Sequence, residues 1–138
     1  MNIVSGDDLF ESNLELAALL RAIAHPARLE LLQALQAGEE CVCHLTALLG
    51  KRQAYISQQL ASLREADLIA ERKEGLRVYY HICEPRLAPV LAALRSKESP
   101  VLGHAVVMSC PCPRCVSESG QGKSRLTCEK REGEEKNA

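Results

Sequence analysis

The chain has 138 residues, enough for one domain with a tail. Hydrophobic residues make up 46% and charged residues 25%, a globular mix, and 17 basic against 18 acidic groups exclude both a histone-like chain and an acidic disordered one. Aromatics are 3%, with no Trp and one Phe, so the core must be aliphatic and stacking platforms for single-stranded nucleic acid are disfavoured. Leu16, Leu19, Leu20 and Ile23 recur at helical spacing and predict a helix over residues 9–24. Pro26 breaks it, and His25 reads as a junction residue. Leu29, Leu32 and Leu35 mark a second helix closed near Gly38. A third, over 40–49, carries Val42, Leu45, Leu48 and Leu49 before Gly50. The fourth, over 53–66, buries Ile56, Leu60 and Leu63 and turns Ser57 and Gln58 outward.

The period then changes. Leu76, Val78, Tyr80 and Ile82 alternate with Arg77, Tyr79 and His81, after a turn at Glu74-Gly75, and residues 69–73 can pair with them. This predicts a β-hairpin with a basic, exposed arm. Pro85 opens a fifth helix with the stripe Leu87, Val90, Leu91 and Leu94. From Ser117 onward the chain is too polar to order itself. The expected fold class is mainly α with a β-hairpin wing: a dimeric winged helix-turn-helix over residues 1–106, followed by a cysteine-containing tail over 107–138. The longest apolar runs are too short to span a membrane, and Met1–Asp8 lacks the basic residues of a signal peptide, so the expected compartment is the cytoplasm with no membrane partner.

The fourth helix has the make-up of a major-groove reader. Gln53, Tyr55, Ser57 and Gln58 can donate and accept at base edges, with packing between helices as the other reading of Tyr55. Lys51 and Arg52 before it, and Arg72, Lys73 and Arg77 on the wing, can meet phosphates. Residues 51–80 hold six basic and four acidic groups, a modest excess that only the helix-turn-helix context makes meaningful. The apolar stripes of the first and fifth helices exceed what a small core needs. Pairing them in a homodimer would place two reading heads roughly 34 Å apart on double-stranded operator DNA.

Seven cysteines is a high and odd number, and in a reducing compartment structural disulfides are not expected. Five are clustered: Cys41 and Cys43, then Cys110, Cys112 and Cys115 with two prolines between them. Clustered thiols point to soft-metal binding or redox chemistry. On a regular helix Cys41 and Cys43 stand about 200° apart, so they can share an ion only if the helix start is distorted. Cys83 reads as structural, Cys128 as no ligand and His44 as an exposed side chain. No G-x-S-x-G or phosphate-binding glycine loop is present, so neither an enzyme nor a small-molecule substrate is expected.

Residues 20–82 resemble the ArsR family of metalloregulatory repressors. The resemblance rests on His25-Pro26-Ala27-Arg28-Leu29-Glu30-Leu31-Leu32, on Glu40-Cys41-Val42-Cys43-His44-Leu45, on Tyr55-Ile56-Ser57-Gln58-Gln59-Leu60 with Leu63-Arg64-Glu65-Ala66-Asp67-Leu68-Ile69, and on Glu74-Gly75-Leu76-Arg77-Val78-Tyr79-Tyr80. It implies a homodimer that leaves its operator when an inducer binds. Asp67 stands where the family has Gly, and Thr46 where the arsenic-type branch has a third Cys. A three-thiolate site then needs a ligand from elsewhere, and Cys110, Cys112 or Cys115 can supply it. Residues 85–97 lack the His and Asp of the zinc-sensing branch. The implied ligands are As(III) or Sb(III), then Cd(II) or Pb(II), with Zn(II) less selective. A redox or iron–sulfur switch and a zinc-stabilised DNA-binding module without sensing are the alternatives.

Overall fold

The computed structural model describes residues 5–96 and Cys128. Ser5 caps the first helix, α1 (Gly6–Ile23), accepting the Asp8 N–H at 3.4 Å. α2 (Pro26–Gln36) starts with Pro26 in its first turn, and His25 is its cap: the backbone is extended there and Nδ1 accepts the Ala27 N–H at 3.2 Å. A two-residue strand, β1 (Glu40–Cys41), leads directly into α3 (Val42–Leu49). Gly50, at φ 62°, ends α3 in the left-handed conformation that favours glycine, and α4 (Gln53–Glu65) follows after the Lys51-Arg52 link.

The hairpin is β2 (Ile69–Glu74) and β3 (Arg77–Ile82), turning at Gly75 with φ 59°. It is the wing, and β1 joins it to make a three-stranded antiparallel sheet in the order β1-β3-β2. β1 pairs Glu40 with Tyr80 and Cys41 with Tyr79. The last helix, α5 (Leu87–Leu94), begins two residues after Pro85. Leu31, Leu32, Leu45, Ile56, Leu60, Leu63 and Leu68 are fully enclosed at the centre, where α2, α3 and α4 meet the sheet.

α4 ends in a Schellman motif. The Leu68 N–H reaches the Leu63 carbonyl at 3.1 Å and the Asp67 N–H reaches the Arg64 carbonyl at 3.0 Å. Leu68 packs with Leu63 in the core, and Asp67 takes the left-handed position at φ 57°. This is the conformation expected for the residue replacing the family's Gly. Aspartate tolerates it at a cost, so Asp67→Gly should raise stability by roughly 1 kcal/mol, read as an upward shift of the thermal midpoint. A lowered midpoint would show that the Asp67 side chain stabilises the turn.

The hairpin is exposed at its tip, at Lys73, Glu74 and Leu76, while Tyr79 and His81 are buried, Tyr79 against Cys41. Of the α1 stripe only Ile23 is buried; Leu16 and Leu20 are exposed, as are Leu9, Phe10 and Leu14, which agrees with the excess of apolar surface read from the sequence. One sequence expectation is corrected: His44 is not exposed but buried, with Nε2 at 3.6 Å from the Glu40 carboxylate one helical turn away. The proposed boundary at residue 106 lies outside the described residues.

Candidate functional site

α4 presents a polar face. Ile56, Gln59, Leu60 and Leu63 are buried, and Gln53, Ser57 and Gln58 are exposed, as are Lys51 and Arg52 before the helix. Tyr55 is 37% exposed. Arg52, the cap residue, makes no side-chain bond to the helix start, and both it and Lys51 are exposed. A helix of 13 residues is about 20 Å long, which suits a major groove about 12 Å wide.

The orientation of this helix depends on Arg28 and Gln59, which sequence reading did not single out. Arg28 Nε donates to Gln59 Oε1 at 2.9 Å and Nη1 to the Ala22 carbonyl at 3.1 Å, so one guanidinium joins α1, α2 and α4. Arg28→Ala would strand the buried Gln59 amide; a loss of about 2 kcal/mol in chemical denaturation is expected. At the other end of α4, Arg64 Nη1 meets Glu71 at 2.7 Å and so fixes the wing against the reading helix.

The three wing cations differ in situation. Lys73 is exposed. Arg72 is held by Glu39 (3.1 Å from Nε) and Glu74 (2.9 Å from Nη1) and lies over the Tyr79 ring at 4.9 Å. These hydrogen bonds, Glu39 first, raise its pKa above the ordinary arginine value, and they tie β2 to the loop before β1. Arg77 turns toward the thiol pair, with Nη1 at 3.7 Å from Cys43 Sγ.

Cys41 and Cys43 come together because the helix starts between them. Cys41 is the cap of α3, with extended backbone, and its Sγ accepts the His44 N–H at 3.4 Å; Cys43 is already in the first turn. The regular-helix angle does not apply to this pair, and no distortion of α3 is needed. The two sulfurs lie 2.6 Å apart. Cys41 is 2% exposed beneath Tyr79, and Cys43 is half-buried at the edge of the same small cluster with Ala47. The donor set fits a thiophilic ion: two adjacent sulfurs, one near the surface and a guanidinium alongside. Their proposed partners Cys110, Cys112 and Cys115 lie outside the described residues.

A second thiol location was not foreseen. Cys83 and Cys128 are joined in a disulfide with a Cα–Cα distance of 5.6 Å, contrary to the expectation of no structural disulfide. His81, two residues before Cys83 on β3, is 3% exposed. Its ring nitrogen and the two sulfurs all lie within 4.8 Å of one another. Burial pushes the imidazole below its ordinary pKa and so favours the neutral ring, an effect the nearby Glu39 carboxylate partly opposes.

Two helices joined by a short glycine turn, the second with an exposed polar face and followed by a braced β-hairpin, define a winged helix-turn-helix regulator of transcription. The family follows from comparison with known proteins. Residues 25–71 match the profile of "Bacterial regulatory protein, arsR family". The chain is 44% identical over 80 residues to the biofilm growth-associated repressor of Agrobacterium fabrum, covering 58% of this chain and 68% of that one. It is 39% identical over 80 residues to the arsenical resistance operon repressor of Escherichia coli, covering 57% and 64%. Among solved structures, the transcriptional repressor BigR of Xylella fastidiosa superposes with a TM-score of 0.58 at 33% identity, covering 66% of this chain and 93% of that one. Reduced HlyU of Vibrio cholerae gives a TM-score of 0.60 at 30% identity, covering 64% and 93%. The chain belongs to the ArsR family and is a transcriptional regulator, not an enzyme. Among the described residues no helix is long and apolar enough to cross a membrane.

Proposed function

We propose that this protein is a homodimeric repressor that grips an imperfectly palindromic operator and lets go when a thiophilic ion joins Cys41 to Cys43. The observation that carries this reading is the approach of the two sulfurs at the junction of β1 and α3. As(III) and Sb(III) fit first, with a third thiolate from Cys110, Cys112 or Cys115 of the tail over 107–138, in the same chain or the partner. Cd(II), Pb(II) and Zn(II) follow. The similarity to the arsenical resistance repressor supports the choice of As(III). Gln53, Tyr55, Ser57 and Gln58 read bases, while Lys51, Arg52 and Lys73 meet phosphates. Arg72 and Arg77, given as phosphate contacts on sequence grounds, serve mainly to hold the wing.

The dimer is supported by apolar surface left open on the two terminal helices. Phe10 on α1 is 63% exposed and Leu94 on α5 is 76% exposed, and Leu9, Leu14, Leu16, Leu20 and Val90 are exposed to a lesser degree. Two copies pairing through these helices would cover it.

The coupling runs by two short routes. Cys41 is paired in the sheet with Tyr79 of β3, and Cys43 touches Arg77 of the same strand, so the pair adjoins the wing. Cys43 also sits on α3, which packs on α4 across the Gly50 turn. Spreading or tightening the sulfurs moves both parts that touch DNA. A coupling of about 1–3 kcal/mol would weaken operator binding roughly 5- to 150-fold.

The test titrates As(III), Sb(III), Cd(II), Pb(II) and Zn(II) against the protein bound to its own promoter fragment. Release by As(III) or Sb(III) at the lowest concentration supports the assignment; retention with all five ions removes it. A redox-responsive repressor is the second reading, favoured by the Cys83–Cys128 disulfide. It predicts that reduction and oxidation alone switch operator affinity, without any ion.

A further inference from the structure

His81 presents an unsolved problem of polarity. It is 3% exposed, yet neither Nδ1 nor Nε2 has a hydrogen-bond partner among the described residues. A buried imidazole normally engages at least one nitrogen, since leaving polar atoms unsatisfied is costly. Its neighbours are not apolar filler. Cys83 is held just beyond the strand by its N–H bond to the Leu68 carbonyl at 2.9 Å, and Cys128 is brought to it from the far end of the chain. A cavity of about 420 Å3 opens beside them, lined by Gly38, Glu39, His81, Cys83 and Glu84 among others. One imidazole and two sulfurs within 4.8 Å form a nitrogen–sulfur donor set of the kind that holds Zn(II).

We propose that, in its dithiol form, the chain binds one Zn(II) through His81, Cys83 and Cys128, at a site distinct from the Cys41–Cys43 pair. The disulfide and the ion are alternative ways of fastening Cys128 to the end of β3. The disulfide must first be reduced. A phosphine does this by attacking one sulfur; the S–S bond breaks, water supplies the oxygen of the phosphine oxide, and both sulfurs leave as thiols. Zn(II) then displaces the two thiol protons to solvent and takes the lone pair of the neutral His81 ring, with a fourth position left for water or another donor.

The experiment uses the full chain with Cys41, Cys43, Cys110, Cys112 and Cys115 replaced by Ser, phosphine-reduced and kept anaerobic, with its helical content checked by circular dichroism. Co(II) is the spectroscopic probe. One equivalent should give the visible bands of a tetrahedral thiolate site, displaced by Zn(II). His81→Asn and Cys128→Ser should each weaken Zn(II) binding at least about tenfold, and the oxidised protein should bind none at this site. Should the five-fold variant not fold, alkylation of the reduced natural chain with and without Zn(II), mapped by mass spectrometry, decides: protection of both Cys83 and Cys128 that is lost in His81→Asn supports the site. Absence of stoichiometric Co(II) binding in the folded variant, equal affinity in His81→Asn, or protection confined to the other five cysteines overturns it.

Discussion

Replacing Cys41 with Ser should leave operator binding intact and abolish release by As(III). Serine is among the best helix caps, so its hydroxyl can take over the His44 N–H that Cys41 Sγ now accepts, and α3 keeps its start. The substitution thus removes a soft ligand without removing the local structure. Cys43→Ser should act in the same direction, since one sulfur of the pair cannot hold the ion with the same affinity. The measured quantity is the operator Kd with and without As(III). The natural protein should lose roughly 5- to 150-fold in affinity and both variants almost none. An undiminished response in the two variants would take the α3 cysteines out of the mechanism and direct attention to the tail thiols.

The second large effect concerns DNA recognition. Gln58→Ala on the exposed face of α4 should weaken binding to the operator by about 1–3 kcal/mol while leaving binding to unrelated duplex nearly unchanged, because a base contact discriminates between sequences. Arg52→Ala, by contrast, should weaken both kinds of complex alike and flatten the dependence of affinity on salt, as expected for one lost phosphate contact per subunit. Binding isotherms at several salt concentrations separate the two outcomes. If Gln58→Ala behaved like Arg52→Ala, α4 would not be lying with this face in the groove.

Local patterns carried most of the fold. The helical repeats of Leu and Ile located α2, α4 and α5, Pro26 and His25 marked a helix junction that proves to be the start of α2, and Asp67 was expected in the left-handed turn that it occupies. Glu74-Gly75 and the alternation after it revealed the wing. Alternation assigns two faces to a strand but does not say what covers each, and here the Cys41 cluster packs on Tyr79 while His81 lies beside Cys83 and Cys128. β1 itself has only two residues, too short for any period, yet it decides how Cys41 and Cys43 meet. An apolar stripe on α1 likewise shows which residues want burial, not whether this chain or a second copy provides it. The pairing of Cys128 with Cys83 spans 45 residues and crosses a polar stretch that offers no periodic signal.

Ion-triggered release requires one linkage: the thiol pair and the reading head must feel each other. Reciprocity makes this measurable from the ion's side. Titrating As(III) into the reduced protein, free and saturated with its operator, should show the ion bound roughly 5- to 150-fold more weakly when DNA is present, by the same factor as As(III) weakens DNA binding. Equal As(III) affinity in the two titrations would contradict the account.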